Sequence, residues 1–235
     1  MTAKRLFALL IPLACAALFV RLGMWQLSRH QERVAYNAGL AERLVTAPVP
    51  LDEGGLTADT AKARWTRVTV SGFFRYDLEQ IHASRISNGS PGVHLLTPLE
   101  RPGHDTLLLV TRGWVYSADA ATADLTRWRE GDFVTLTGYL MPMPDSGAAP
   151  PVDRPQLIRS LNRAAVEARL GKPVYAVQLV MTSDSAARPD SVPRRLPPPT
   201  IDMGPHRSYA AQWFAFAIIA VVGGIVLFRR TGAKA

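Results

Sequence analysis

The chain of 235 residues has room for one ordinary domain plus membrane anchors, and both of its long apolar runs lie at the termini. The net charge of +8 comes from 27 basic and 19 acidic side chains, with no basic block interleaved with aromatic residues. This pattern argues against nucleic-acid binding and favours a surface near anionic lipid. The single cysteine, Cys15, excludes an internal disulfide and any two-cysteine copper or thiol-exchange site.

The first apolar run covers residues 6–20, and after Arg21 it extends to Trp25. The triplet Ala14-Cys15-Ala16 loosely fits a signal-peptide cleavage site, but apolar residues continue beyond it. The run therefore predicts an uncleaved transmembrane helix over residues 6–25, with Arg21 snorkelling to the far interface beside Trp25. The alternative is that Arg21 pairs with an anionic ligand inside the membrane.

The second apolar run lies near the C-terminus, and its residues 210–228 carry only one strongly polar side chain, Gln212. These residues span about 28 Å as a helix, so we predict a second transmembrane helix over residues 206–228. The positive-inside rule assigns the basic tails, residues 1–5 and 229–235, to the cytoplasm. We therefore expect an extracytoplasmic central region. Five residues before the first span are too few for a mitochondrial transit peptide, which favours a bacterial plasma (inner) membrane.

Between the two spans the sequence first continues as a helix and then changes to strand periodicity. Residues 26–62 predict a stalk helix and a loop, with Pro48 and Pro50 ending the helix. Residues 63–185 contain six strand-like segments separated by Gly, Pro and Asn turn signals: 65–70, 80–86, 93–99, 106–116, 133–140 and 174–181. The predicted fold class is α+β, with two transmembrane helices flanking an antiparallel β-barrel or sandwich that carries one added helix.

The added helix is predicted late in this region. Asp153 is its candidate N-cap, Pro155 lies in its first turn and Gly171 stops it. Four residues share one face and should pack on or plug the sheet: Leu157, Leu161, Ala165 and Ala168. Residues 186–205, rich in Pro and Arg, then form an extended linker that returns the chain to the membrane.

Motifs for enzymatic chemistry are missing from the sequence, which has no nucleophile elbow, phosphate loop or dinucleotide fingerprint. Its histidines also lack the spacing that places two metal ligands on one helical face: His30, His82, His94, His104 and His206. We therefore predict a non-enzymatic protein without a dedicated zinc or copper centre. An extracytoplasmic hydrolase with a triad assembled from distant positions is the alternative.

Two glycine-containing segments of the β region are distinctive. Gly72, just before two phenylalanines, predicts a bulge or a close backbone approach. In Arg112-Gly113-Trp114-Val115 we expect an architectural role, with Trp114 in the core, Gly113 relieving backbone crowding and Arg112 at the rim. A binding role for Arg112 is the alternative.

His206 lies at the N-terminus of the second apolar helix. The partial positive charge of a helix N-terminus disfavours imidazolium, and the neutral ring is the form that can ligate a metal. The same helix end, with Arg207 beside it, would attract carboxylates. Tyr209, Trp213 and Ala217 share the helix face of His206. We therefore expect aromatic side chains to extend from His206 along this face into the bilayer. The alternative is a simple interfacial anchor.

Motifs distributed along the chain from residue 22 resemble the surfeit locus protein 1 family. They are Leu22-Gly23-Met24-Trp25-Gln26-Leu27-Ser28-Arg29, Val68-Thr69-Val70-Ser71-Gly72 with Phe73-Phe74, Thr97-Pro98-Leu99, Arg112-Gly113-Trp114-Val115, and Pro205-His206 with Tyr209-Ala210 and Gln212-Trp213-Phe214. The resemblance implies a membrane-anchored assembly chaperone for haem-copper cytochrome c oxidase, acting in respiratory chain biogenesis. It also implies two helices around an extramembrane domain, in agreement with the elements predicted above.

The resemblance further implies transient binding of haem a and its delivery to oxidase subunit I. The expected partners are subunit I, other oxidase assembly factors and the lipid bilayer, and no nucleic acid. The family's second-span histidine maps onto His206, the expected metal ligand. Tyr209 and Trp213 would pack on the macrocycle, and Arg207 could hold a propionate.

Two departures from the family pattern affect the local ligand geometry. The family often has Asn two residues before the histidine and an apolar residue after it, where this chain has Gly204 and Arg207. The alternative function is a scaffold that stabilises an oxidase assembly intermediate without binding haem.

Overall fold

The computed structural model describes residues 3–54, 60–147, 154, 156–182 and 192–232. Its helices are α1 (Ala3–Val45), α2 (Leu51–Gly54), α3 (Thr60–Ala63), α4 (Arg163–Leu170) and α5 (His206–Gly232). Its strands are β1 (Val49–Pro50), β2 (Arg67–Phe74), β3 (Gln80–Ser87), β4 (Ser90–Glu100), β5 (Leu107–Tyr116), β6 (Phe133–Pro142), β7 (Leu157–Ile158) and β8 (Val174–Met181). Two short 3-10 turns cover Tyr76–Leu78 and Thr126–Trp128.

The chain forms two compact units. The first, Met1–Ala41 with Thr200–Ala235, is called the helix pair below, and the second, Glu42–Pro199, is called the barrel unit. In the helix pair, α1 and α5 are both long and apolar enough to cross a membrane. Helix α1 runs without interruption to Val45, which confirms the predicted stalk helix.

Small residues bring the two long helices together. Ala210 and Ala217 of α5 are buried, and a Cβ atom on Gly224 would lie 2.7 Å from Cβ of Pro12 in α1. A Cβ atom on Gly23 of α1 would likewise lie 2.6 Å from the Phe214 ring. Positions seven residues apart return to the same side of a helix, so 210, 217 and 224 form one close-packed seam.

Five strands of the barrel unit close into a β-barrel in the order β2-β6-β8-β5-β4, and a β2–β4 pairing closes the ring. Four of these pairings are antiparallel, as predicted, and β5–β8 is parallel. Gly72 lies where β2 meets β4, and a Cβ atom there would be 2.6 Å from the Glu100 carbonyl oxygen. The expected close backbone approach is therefore confirmed, and its role is to close the barrel.

Strand β5 is buried on both faces. Leu108 and Val110 point into the barrel core, whereas Leu107 and Leu109 pack with Val166 of α4 on the outer face. Alternate residues of a strand face opposite sides, so β5 supplies two cores at once. Helix α4 therefore packs on the sheet, one of the two roles expected for it.

The predicted start of that helix is wrong. Asp153 and Pro155 lie outside the described residues, and Leu157 lies in β7, where it pairs with Ile81. Helix α4 begins at Arg163, because Asn162 accepts a hydrogen bond of 2.8 Å from the Ala165 amide and caps it. Gly171 ends it in the left-handed conformation at φ 64°, as predicted.

The stretch predicted as loop before residue 62 contains the short helices α2 and α3. Leu51 of α2 and Ala63 of α3 are both buried in the barrel core. Both helices therefore contribute to the core. Their few apolar residues lie among Gly, Asp and Thr, so the composition of the stretch resembles that of a loop.

Candidate functional site

The start of α5 is built by the three residues Gly204, Pro205 and His206. Gly204 adopts φ 64°, which favours glycine, and its amide donates to Oδ1 of Asp202 at 3.0 Å. The Pro205 carbonyl accepts from the Tyr209 amide at 3.1 Å and from the Ser208 hydroxyl at 2.8 Å. This turn fixes where the helix begins and places the His206 ring in its first turn.

His206 is oriented by Gln26 of α1. Its Nδ1 atom lies 2.9 Å from Oε1 of Gln26, across 180 residues of sequence. An amide oxygen only accepts, so Nδ1 donates in this bond and Nε2 is the ring nitrogen left to ligate a metal. A hydrogen bond that fixes the tautomer in this way is the usual support for a ligating histidine.

The segment before His206 is tied to α1 by two further side chains. Asn37 donates to the Asp202 carbonyl at 3.0 Å, and Arg33 Nε donates to the same oxygen at 2.8 Å. Gly204 packs close to the ring, because a Cβ atom there would lie 3.3 Å from Nε2 of His206. Glycine at this position, one of the two departures from the family pattern, therefore leaves space beside the candidate ligand atom.

A polar pocket of about 300 Å³ opens beside His206. It is lined by Arg29, Glu32, Arg33, Tyr36, Gly204 and His206. The lining contains two guanidinium groups and one carboxylate, so the pocket favours an anionic group. The Arg29–Glu32 pair is half exposed, and such pairs are weak enough for the arginine to exchange partners with a ligand.

His30 is a further polar side chain on α1, one helical turn beyond Gln26. Its Nδ1 atom is buried, and none of the described residues makes a hydrogen bond with it. A buried polar atom without a partner costs free energy and calls for an explanation. It adds a second imidazole on the same side of α1 as the group that orients His206.

The predicted site residues on α5 divide between two places. Trp213 is partly buried, with its ring 5.7 Å from Phe19 and 5.9 Å from Phe216. Tyr209 is 46% exposed and lies one turn above Trp213 on the same flank of α5. Arg207 is exposed, and the residues described as lining the polar pocket do not include it.

Arg112 lies in the barrel interior, so the prediction that it sits at the rim is wrong. It is fully buried, because its position on β5 faces the same side as Leu108 and Val110. Nη1 donates to Glu79 at 2.7 Å, and Nε donates to Glu130 at 3.0 Å. Nη2 lies 2.9 Å from Glu130 without hydrogen-bond geometry.

Aromatic rings complete the surroundings of this guanidinium group. Its carbon lies 5.4 Å from the Phe74 ring centroid and 5.2 Å from that of Tyr76. Burial raises the pKa of Glu79, and the charge of Arg112 and a hydrogen bond from Thr97 oppose that shift. With both carboxylates paired and the guanidinium group fully buried, the cluster is suited to holding the barrel together.

A strap consisting of residues 193–195 crosses this part of β5. The Arg194 carbonyl accepts from the Trp114 amide at 2.8 Å, and the Arg194 amide donates to the Trp114 carbonyl at 2.9 Å. Arg195 donates to the Arg112 carbonyl at 2.7 Å. A Cβ atom on Gly113 would lie 2.5 Å from the Arg194 carbonyl, so its predicted relief of backbone crowding is confirmed. Trp114 is only partly buried, contrary to its predicted place in the core.

His82 and His94 face each other across β3 and β4, with ring centroids 6.1 Å apart. Burial lowers their pKa values to about 3 and about 4, and the charge of Arg85 adds to both shifts. Both rings are therefore neutral near pH 7. Within the part of the chain that the structure describes, no group of three or more His, Cys, Asp or Glu could hold a metal ion.

Sequence reasoning missed the contributions of α1 to the site. Gln26, Arg29 and Arg33 follow a spacing of i, i+3 and i+7, which places polar groups on one face of the stalk helix. That spacing was the available signal. It does not show which partner the face meets, so the bond between Gln26 and His206 needed the folded structure.

These features define a membrane-anchored β-barrel protein, with two apolar terminal helices and a tautomer-fixed histidine at the start of the second. The chain belongs to the SURF1 family, whose model matches residues 13–218. It is 30% identical over 210 residues to SURF1-like proteins of Mycobacterium bovis and Mycobacterium tuberculosis, covering 87% of this chain and 76% of each relative.

Two further relatives are eukaryotic. A 95-residue match, 30% identical, links the chain to the cytochrome oxidase assembly protein SHY1 of Saccharomyces cerevisiae and covers 40% of this chain and 24% of the yeast protein. A SURF1-like protein of Monosiga brevicollis is 24% identical over 90% of this chain and 84% of its own length. The family resemblance found in the motifs is thereby confirmed.

Proposed function

We propose that this chain is a non-enzymatic assembly factor for haem-copper cytochrome c oxidase, which binds haem a through His206 and assists its insertion into subunit I. Membership of the SURF1 family and the similarity to yeast cytochrome oxidase assembly protein SHY1 support the assembly role. The observation that carries haem binding is the Gln26–His206 bond, which uses Nδ1 and leaves Nε2 available as a ligand.

The residues around His206 fit a haem. Histidine nitrogen is a common axial ligand of haem iron, and the porphyrin carries carboxylates that require cationic partners. Arg29 and Arg33 line the pocket beside His206, and Arg207 follows it in sequence. When bound, the group supplies an iron centre to be handed on, while the chain's own residues orient the imidazole and neutralise the acid groups.

The proposed setting is a bacterial plasma membrane, with the barrel unit outside the cytoplasm. Arg229 and Arg230 at the end of α5 support a cytoplasmic C-terminus by the positive-inside rule. A reporter enzyme active only in the cytoplasm, fused after residue 235, should be active. An active periplasm-specific reporter at the same position would reverse the topology.

Haem spectroscopy tests the ligand assignment. The full chain is purified from cells that make haem A, as wild type, as His206→Ala and as His104→Ala, a variant of an exposed loop histidine. We expect His206→Ala to lose haem occupancy or change its ligation spectrum, and His104→Ala to match the wild type. Unchanged haem occupancy and spectrum in His206→Ala would refute the assignment.

A second candidate function is favoured by an exposed aromatic pair on the barrel unit. Phe73 and Phe133 are 48% and 55% exposed and meet edge to face with centroids 4.9 Å apart. Exposed aromatic residues are typical anchors of protein interfaces. The chain would then act as a scaffold that holds an oxidase assembly intermediate through its barrel.

Co-purification distinguishes the two roles. The double variant Phe73→Ser/Phe133→Ser should reduce recovery of oxidase subunit I while leaving the haem spectrum intact. Tyr116→Ser, at another exposed aromatic residue of the barrel unit, is the control. If subunit I co-purifies undiminished with the double variant, this pair is not the docking surface.

A further inference from the structure

An apolar groove runs along one flank of the helix pair, below the polar pocket. It has a volume of about 590 Å³ and is lined by both long helices, among others by Pro12, Cys15, Phe19, Trp213, Gly223 and Leu227. Trp213 and Leu227 are fourteen residues apart, so the groove extends for about 21 Å along α5. Its walls offer apolar contacts along nearly the whole length.

The depth of the groove depends on glycine. At Gly224 the helices touch, because a Cβ atom there would clash with Pro12. At the neighbouring Gly223, an added Cβ atom would have no described protein atom within 4 Å. One glycine therefore allows the helices to approach, and the other leaves the groove open beside the contact.

The groove begins close to the candidate ligand. Its upper end is formed by the Phe19, Trp213 and Phe216 rings, whose centroids lie 5.7 to 5.9 Å apart. Trp213 follows His206 by seven residues, about 10 Å along the helix axis, and Tyr209 lies between them on the same flank. A cationic pocket and an apolar groove thus follow each other along one side of the helix pair.

We infer that this groove binds the long isoprenoid side chain that distinguishes haem a from protohaem. The inference rests on the proposed haem binding at His206 and names the part of the ligand that gives selectivity. The pocket beside Arg29 and Arg33 complements the acid groups of such a molecule, and the groove complements its chain. Because the porphyrin would be held at His206, its isoprenoid side chain would compete with bilayer lipid for the groove at a high effective concentration.

Cys15 allows the groove to be tested directly. It is the only cysteine in the sequence and lines the groove, so its reaction with N-ethylmaleimide reports whether the groove is occupied. The purified full chain in phosphatidylcholine nanodiscs is titrated with haem a, with protohaem and with farnesol. Binding is followed by haem absorbance and Cys15 labelling by mass spectrometry.

We expect wild type to bind haem a at least about a hundredfold more tightly than protohaem, the low end of what a second tethered contact contributes. Haem a and farnesol should slow Cys15 labelling, and protohaem should not. Gly223→Leu, which fills the groove, should lose the preference and the protection but keep protohaem binding. Ala220→Leu, at a second position that lines the groove, should behave as Gly223→Leu does. Ala215→Leu, at an exposed position elsewhere on α5, should match the wild type.

The outcomes separate this inference from the proposed function. If both haems bind equally and neither protects Cys15, the groove assignment is overturned and ligation by His206 stands. If neither haem binds but farnesol protects Cys15 in wild type and not in Gly223→Leu, the proposed function fails and the groove remains an isoprenoid site. If lipid alone protects Cys15 as fully as haem a does, bilayer chains fill the groove and the inference is overturned.

Discussion

The chain contains two clusters of cationic and polar side chains that differ in closure. In the barrel, Arg112 is ion-paired with both Glu79 and Glu130, and no part of its side chain reaches solvent. In the helix pair, His206 is only partly buried, uses one ring nitrogen and presents the other beside a pocket. The contrast indicates that burial and ion pairing of the charge, more than its presence, separate a structural cluster from a binding site.

The arginines follow the same division. Arg29 pairs with Glu32 at the surface, where side-chain exposures of 52% and 61% allow solvent to screen the pair. Arg112 cannot exchange its carboxylates without leaving a buried charge unpaired. The first arrangement can accept a ligand at little cost, and the second stabilises the fold.

The largest expected effect comes from opening the closed cluster. Arg112→Met should lower the free energy of unfolding by about 3 to 5 kcal/mol, because Glu79 stays buried without its partner. Thermal unfolding of the full chain in detergent measures the loss. Arg75→Met, which breaks a surface ion pair, should cost less than about 1 kcal/mol. Equal losses in the two variants would contradict the structural role of Arg112.

The buried histidine pair predicts a pH dependence of the barrel. His82 and His94 have folded pKa values of about 3 and about 4, below the ordinary value of 6.5. Below pH 6.5 the two histidines are protonated in the unfolded chain but stay neutral in the native barrel. The free energy of unfolding therefore falls as the pH falls. We expect a loss of about 2 to 4 kcal/mol between pH 6.5 and pH 5, and little change above pH 7. His82→Gln/His94→Gln should flatten this slope in urea titrations; an unchanged slope would rule the pair out as its source.

Detaching the strap should have a smaller effect. Gly113→Ala introduces a Cβ atom 2.5 Å from the Arg194 carbonyl at a φ of 154°, with an expected cost of about 1 to 3 kcal/mol. Gly131→Ala is the matched control, since φ is 127° there and the nearest atom lies 3.8 Å away. Limited proteolysis near residues 193–195 should increase only in Gly113→Ala. Equal sensitivity in both variants would mean that backbone strain alone is responsible.

The smallest effect concerns the open site. Gln26→Leu removes the acceptor that fixes the His206 tautomer, and haem affinity should fall about tenfold, the low end for loss of such a supporting group. Spectroscopic haem titration measures the change. Gln31→Leu, at an exposed position of α1, should bind as the wild type does. If Gln26→Leu keeps full affinity, the hydrogen bond does not prepare the ligand.

Local patterns were sufficient for much of the fold. The apolar runs predicted α1 and α5, and strand-like segments between turn signals predicted the five strands that close the barrel. The start of α4 was misplaced because residues 157–158 pair with β3, which a helical pattern of Leu and Ala does not reveal. In the candidate site, His206 could be recognised from its position at the N-terminus of an apolar helix. The side chains of α1 that support it could not be recognised in this way.

The sequence by itself determined the two apolar helices, the β-rich region, the family and the histidine at the start of α5, because helix and strand periodicity and motif identity are local properties. The tertiary structure decided that the strands close at Gly72, that Arg112 points inward and that Gln26 meets His206. Each of these depends on which distant segments pack together. Pairing of that kind is set by the sum of many long-range contacts, which one segment's own pattern does not contain.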